Sequence, residues 1–367
     1  MKNLKQLQQT LPLTVELKND SVIIVDQVFL PDKLKFIKLK KYPEAIRAIK
    51  EFNVRGAQAL GAVGAAGIFL ASYGYSKKNV SEFKKYLKKV GREIIKARPT
   101  AHNLSWAVNY LLDNLSGQSV VEVKKGITAG YKKILKEEVE NNLKIGELGS
   151  KLIKNNARIM THCNAGSLSA IWYGTATAPM YSAVLQGKKI SVLVNETRPW
   201  LQGARLTAWE MKMSKIDYTI NIDSAVGFLM SNKMVDMVIV GADCIALNGD
   251  TANKIGTYPI ALMARQYNIP FYVAAVNATI NFDIKQGSDI KIEERSGDEI
   301  LKHTSYWESK NLIKKSSKNF DPLLNISPRG AKAFNPVFDV TPAKLITGII
   351  TESGIFKPNE IKKIKKK

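Results

Sequence analysis

From Ala157 onward the chain repeats one rhythm that few folds can satisfy. Short, nearly continuous apolar runs fall at 157–161, 190–194, 217–222, 235–241 and 270–275. Stretches of helical length and pattern separate them: Ser167–Leu185, Arg205–Met213, Ala225–Ser231 and Lys254–Tyr267. Strands that are apolar on both sides have to be covered on both faces, and strands separated by helices run parallel. The segment 151–367 is therefore expected to be a Rossmann-like α/β unit built on a parallel sheet. Thr341-Pro342 reads as a helix start, with proline at the first helical position, for a helix ending at Gly354.

The first 150 residues follow another pattern and are expected to form a smaller, mostly helical domain. Thr14–Lys18 and Ser21–Val28 alternate around Asn19-Asp20 as a β-hairpin, with Lys35–Lys40 as a third strand, giving a short antiparallel sheet. Helices are expected from Glu44 to Phe52, through the Ala- and Gly-dense run Ala62–Ala71, from a Ser81 cap to Lys96, over His102–Leu115 and along Val120–Asn156. The stretch 281–335 is polar and reads as long loops.

Composition narrows the function classes. With 45% hydrophobic and 24% charged residues, the chain is ordinary globular protein, with no apolar run long enough for a membrane span. Two cysteines outside any CxxC cluster make a disulfide framework and a zinc site poor readings, and a reduced cytoplasm is the expectation. The net charge of +23 could mark a nucleic-acid surface, but the lysines are dispersed over helix faces rather than gathered in a stripe, so nucleic acid is not the expected partner. The positive field would still draw in an anionic substrate.

Chemistry-bearing residues collect where the strands end. Thr161-His162-Cys163-Asn164-Ala165-Gly166 follows the first strand, Glu196-Thr197-Arg198-Pro199 the second and Gly241-Ala242-Asp243 a later one. Gln202-Gly203-Ala204-Arg205 and Asn248 to Lys254 add amides and cations at turns. In a parallel sheet these ends share one edge, where ligands bind. Cys163 lies beyond its strand rather than in the core, and Asp243 sits too far ahead of the next helix to be its cap, so both are candidates. Glu196 and Arg198 could simply pair with each other, and His162 reads as a structural hydrogen-bonder. Arg55, before Gly56-Ala57, and Arg98 have no apolar role and suit an anion. No Gly-x-Gly-x-x-Gly fingerprint or Walker loop is present. The residues alone point to proton transfer or thiol chemistry on a small anionic substrate.

Taken in order, Arg55-Gly56-Ala57, Arg98-Pro99-Thr100, Thr161–Gly166, Glu196–Glu210, Gly241–Asp243, Asn248–Thr257, Ile292–Arg295 and Asn335–Gly354 resemble a known family. It comprises the methylthioribose-1-phosphate isomerases, the ribose-1,5-bisphosphate isomerases and the regulatory α, β and δ subunits of translation initiation factor 2B. The resemblance, from about Thr14 to Ile355, implies a cofactor-independent homodimer acting on a small phosphorylated sugar, with no metal. It implies that Cys163 and Asp243 form the acid-base pair. Arg55, Gly56, Ala57, Arg98, Gln202, Asn253 and Lys254 would hold the substrate. The form His162-Cys163-Asn164-Ala165-Gly166 looks like the methylthioribose branch, converting an aldose 1-phosphate to a ketose 1-phosphate in methionine salvage. Departures from the family pattern stand at Gln58, Asn195, Cys244 and Asn281, and 303–330 is longer than usual. They leave open a related substrate such as 5-deoxyribose 1-phosphate or ribose 1,5-bisphosphate; for the mechanism, a hydride shift competes with proton transfer. A non-catalytic regulator is the alternative from another class.

Overall fold

The computed structural model describes residues 3–304, 323–328 and 330–364, so most of the unusually long 303–330 stretch lies outside the described residues. The chain opens with a helix that the sequence reading did not anticipate, α1 (Leu4–Thr10). It is capped by Asn3, whose side chain accepts from Gln6 N–H at 3.0 Å. Strands β1 (Val15–Lys18), β2 (Ser21–Val25) and β3 (Phe36–Leu39) then form the expected antiparallel sheet.

Helices α2 (Tyr42–Lys50), α3 (Ala57–Tyr73), α4 (Val80–Ala97), α5 (His102–Asp113) and α6 (Val120–Ser150) follow. Their apolar faces meet in one core around α3, every residue of which from Gln58 to Ser72 is buried. Small residues make that possible. A Cβ on Gly61 would stand 2.9 Å from the Asn103 carbonyl oxygen, and one on Gly64 would stand 2.3 Å from Leu104 Cδ1. Helix α4 is capped by Asn79 rather than Ser81, its Oδ1 accepting from Glu82 N–H at 3.0 Å. The Val120 region resolves into a single 31-residue helix.

The second half builds the expected sheet. Strands β4 (Ala157–His162), β5 (Ile190–Asn195), β6 (Asp217–Asn221) and β7 (Met237–Val240) join β10 (Phe271–Ala274), β14 (Gly348–Thr351) and β15 (Gly354–Phe356). Their order is β15-β14-β10-β7-β4-β5-β6, parallel throughout except for β15. Ile159, Val192, Met237 and Ile239 pack on one face with α7 (Ala178–Leu185). Met160, Val238, Val240 and Val273 pack on the other with α9 (Val226–Ser231) and α10 (Thr257–Gln266). A second small sheet carries β8 (Cys244–Ile245) and β9 (Thr251–Lys254), paired antiparallel to β13 (Phe338–Thr341). After α11 (Asp298–Leu301), β11 (Lys302–Thr304) and β12 (Leu323–Asn325) form an antiparallel ribbon.

Four expected helices change under tertiary pairing. Ser167–Leu185 keeps only a single turn at Ser167–Ser169 before α7, because residues 170–177 fold back, with Thr175 and Ala176 N–H donating to Ala165. Lys254 ends a strand instead of opening a helix, and Gly256, at φ +101°, breaks the chain between β9 and α10. The helix near Arg205 begins as a wider turn over Gly203–Thr207 and becomes α-helical only in α8 (Ala208–Met213). Thr341-Pro342 closes β13, and Ile349 and Ile350 then run as a strand between β10 and β15, where burial on both faces outweighs the local capping signal.

The chain starts at β4, moves outward through β5 and β6, and returns to β7 on the other side. The crevice beyond β4 and β7 is thus the switch point of the sheet, where ligands bind. Gly203 lets the Gln202 turn press onto this edge, because a Cβ there would lie 1.7 Å from the Asn195 carbonyl oxygen. Gly203→Ala is expected to cost about 3 kcal/mol of stability, seen as a lower urea midpoint at unchanged slope.

Candidate active site

Cys163 follows β4 directly, in the left-handed region at φ +63°. Its N–H donates to Thr197 Oγ1 at 2.8 Å, and Thr207 Oγ1 donates to its carbonyl at 2.6 Å. The turn beyond it is wound on a buried carboxylate. Glu210 of α8 accepts from Asn164 Nδ2 (2.9 Å), Ser167 N–H (2.8 Å), Leu168 N–H (3.0 Å) and Tyr181 Oη (2.7 Å). Burial pushes the Glu210 carboxyl up from the usual range, and these donors oppose the shift. Gly166 is required there, since a Cβ would meet Glu210 Oε2 at 2.0 Å.

His162 is a structural hydrogen-bonder, as its sequence setting suggested. Its Nε2 bonds the Ile255 carbonyl at 2.8 Å, which leaves Nδ1 facing Asn195 and Thr197, and burial pushes its pKa down. Asp243 follows β7 and is tied to β9 by its N–H donating to the Ala252 carbonyl at 2.9 Å. Lys254, at the end of β9, donates from Nζ to the Val337 carbonyl at 3.1 Å and lies 4.8 Å from the Phe338 ring centre. Asn253 Nδ2 donates to Thr257 Oγ1 at 3.0 Å.

The cations come from several elements. Arg55 precedes α3, whose N-terminus begins at Gly56 with φ +90°. No Cβ fits at Gly56, which would bring it 2.3 Å from Ser169 Cα. Arg98 Nη2 pairs with Glu293 Oε2 at 3.1 Å, Thr100 Oγ1 donates to the same oxygen at 2.9 Å, and Arg295 Nε pairs with Glu293 Oε1 at 2.8 Å.

Arg55, Gly56, Ala57, Arg98, Cys163, Gln202, Asp243, Asn253 and Lys254 all line one cleft of about 800 Å³, open solvent included. The structure adds Gln58, Ser169, Thr279, Arg295 and Phe338 to its walls. Arg295 and Phe338 were missed as site residues because neither lies next to a periodic element that would have aimed it. Glu196 and Arg198 are not among the lining residues, nor do they pair with each other; the Arg198 guanidinium donates to the carbonyls of Pro199 and Ile300. Of the four departures, Gln58 faces the cleft, whereas Asn195 and Cys244 do not line it. Asn281 Nδ2 lies 3.4 Å from His102 Nδ1.

Burial raises both candidate acid-base groups. It pushes the Cys163 thiol up against the pull of Lys254, and pushes the Asp243 carboxyl up against Lys254, Arg98 and Arg295. Burial also brings Lys254 down to about 8, although Cys163 and Asp243 favour its charged form. Glu293 resists its own burial; the Arg295 hydrogen bond and the Arg98 charge hold it at about 2. The arrangement is a proton-holding pair beneath a crowd of cations, suited to a small anion. Among the described residues, no group of three or more His, Cys, Asp or Glu is placed to hold a metal, and no helix is long and apolar enough to cross a membrane.

The family model for the initiation factor 2 subunit family matches residues 53–358. The chain belongs to that family. It is 45% identical over 355 residues to a methylthioribose-1-phosphate isomerase of Acetivibrio thermocellus, covering 96% of this chain and 98% of the relative. The crystal structure of 5-methylthioribose 1-phosphate isomerase from Pyrococcus horikoshii superposes with a TM-score of 0.86 at 38% identity, over 98% of this chain and 97% of that one. Translation initiation factor eIF-2B, subunit delta, from A. fulgidus superposes with a TM-score of 0.80 at 39% identity, over 96% and 99%.

Glu210→Gln puts an amide N–H₂ where four donors converge. It is expected to destabilise the protein by about 3 kcal/mol in equilibrium denaturation and to lower activity by loosening the Cys163 turn.

Proposed function

We propose that this chain isomerises 5-methylthioribose 1-phosphate to 5-methylthioribulose 1-phosphate, the aldose-ketose step of methionine salvage, and that it works as a cytoplasmic homodimer. The observation that carries the reading is the meeting of Cys163 and Asp243 at the sheet's switch point, in a chain whose near-full-length relatives are named for that reaction. A purely regulatory relative would have no use for a buried thiol and carboxylate under four cations.

The C1 phosphate locks the sugar as a glycosyl phosphate, so opening cannot start from a free C1 hydroxyl. In the proposed reaction Asp243, inclined by burial to hold a proton, gives it to the ring oxygen as the C1–O bond breaks. Cys163, raised by burial and drawn back toward the thiolate by Lys254, takes the C2 proton as the thiolate to give an enediol-type intermediate and returns it to C1. Asp243 recovers its proton from the C2 hydroxyl, leaving the ketone and both side chains as they began. Arg55, Arg98, Lys254 and the N-terminus of α3 at Gly56-Ala57 hold the phosphate and hydroxyls, with Gln202 and Asn253 beside them.

Assays with methylthioribose, 5-deoxyribose and ribose 1-phosphates, with ribose 1,5-bisphosphate as a fourth, test the reading directly. The methylthio sugar is expected to give the highest kcat/KM, and no turnover with any of them would overturn it. Cys163→Ser and Asp243→Asn should each lower kcat by about 10²–10⁴-fold while leaving substrate binding nearly intact; near-normal turnover would remove the acid-base role.

A pH dependence follows from Lys254. Its pKa is depressed to about 8, so the charge that attracts the substrate is present below that pH and lost above it. The kcat/KM profile should fall as pH rises through about 8, and Lys254→Met should show a higher KM and no such limb.

A further inference from the structure

We infer that Phe52 and Trp200 form an aromatic clamp that holds the Arg55 guanidinium, its charge uncancelled, for the phosphate dianion of the substrate. The clamp deepens the phosphosugar reading and rests on it for the identity of the anion. The two rings lie 5.5 Å apart, and the Arg55 Cζ is 4.3 Å from the centre of one and 4.2 Å from the centre of the other. A guanidinium at these distances is held by the ring quadrupoles and by stacking of its plane.

What the rings replace is as informative as what they do. A buried arginine ordinarily takes a carboxylate partner. Among the described residues Arg55 makes no ion pair, and its Nη2 is buried with no hydrogen-bond partner. Arg98 and Arg295, by contrast, share Glu293. A carboxylate would position Arg55 equally well but would neutralise it; ring faces fix its position and leave the charge and the N–H for a ligand. Burial and the charges of Arg295 and Arg98 disfavour the Arg55 cation, against a smaller pull from Glu299, which forms no ion pair with it, so the site favours an added anion.

Phe52 does more than Trp200. Arg295 and Arg98 also stand over its ring, at 5.0 and 5.9 Å, so one aromatic side chain gauges the spacing of three guanidiniums. Phe52 holds a left-handed backbone, at φ +61°, to present that ring. Trp200 stands two residues before Gln202, which lines the same cleft. The clamp thus joins the helical half to the β5–α8 connection, its rings lining a smaller adjoining pocket that shares Arg55, Gln202 and Leu206 with the cleft. Both rings are positioning residues.

The test uses the purified full chain and two readouts, calorimetric titration with inorganic phosphate and steady-state kinetics with methylthioribose 1-phosphate. Phe52→Leu and Trp200→Leu are expected to weaken phosphate binding by about 10-fold and to raise KM by a similar factor, with most of the loss in KM rather than kcat. Phe52→Leu should be the worse of the two, and Trp200→Phe, which keeps a ring, should recover most of the affinity. In an Arg55→Lys background, where no planar group remains to stack, Trp200→Leu should cost less than about 2-fold. Unchanged phosphate affinity in both leucine variants would overturn the clamp. An equal loss in the Arg55→Lys background would do the same by reducing the rings to packing, and so would a wild-type chain that binds no phosphate. If the wild-type chain binds phosphate and loses it in the leucine variants but turns over no sugar 1-phosphate, the clamp stands and the isomerase reading falls.

Discussion

The cleft depends on a single buried carboxylate. Glu210 lies in the core, yet it takes two backbone N–H groups and an amide from the loop that follows β4, and a phenol from α7. That loop has no regular structure to satisfy its own backbone, and the carboxylate does it instead. With the loop pinned, Cys163 keeps its left-handed turn, Gly166 and Gly174 pack backbone to backbone, and the Ser169 region can close against Gly56. The N-terminal segment adds further ties: Thr14 Oγ1 donates to Ser167 O and Gln27 Nε2 to Leu168 O, at 2.8 and 2.7 Å. The same stretch of chain thus holds the thiol and anchors the helical half to the sheet.

The cleft is organised around a charge imbalance. Arg55, Arg98, Arg295 and Lys254 surround the carboxylates of Glu293 and Asp243, and Glu293 is already committed to two of the arginines. Burial makes these charges costly, as the lowered Lys254 shows, and Arg295 and Arg55 add to the cost there. A phosphate dianion relieves that repulsion. The same field reaches the pair beneath it: burial raises both Cys163 and Asp243, and Lys254 opposes that rise in each. The net charge of +23, dispersed over the molecule, adds a long-range attraction for the same ligand.

Much of this was legible in the residues. The β-α alternation gave the parallel sheet because its apolar runs have no other way to be covered, and the end-of-strand position of Cys163 and Asp243 followed from the alternation. Periodicity could not show which residues would be recruited from far away. Arg295 reaches the cleft only through Glu293, which lies in a polar loop with no pattern to read. The Lys254 region carried the composition of a loop before a helix, yet it pairs with residues more than eighty positions later. Ile349 and Ile350 sat behind a strong helix-start signal that tertiary pairing overrode. Helix α1 is short, and only its packing of Leu7 and Leu11 under the sheet explains it.

The strand order has a consequence for how such a chain is made. Strand β14 completes the sheet beside β10, although it follows β10 by more than seventy residues in the chain. Strand β13, which pairs with the β9 strand carrying Asn253 and Lys254, is released from the ribosome only just before it. The walls of the cleft therefore come together only after β13 has been made, from residues first translated as early as Arg55. Until then the nascent chain carries the open edge of β10, a template for pairing with any other unfinished sheet. The architecture that lets distant segments build one small anion-binding site also makes β13 and β14 the strands on which its folding waits.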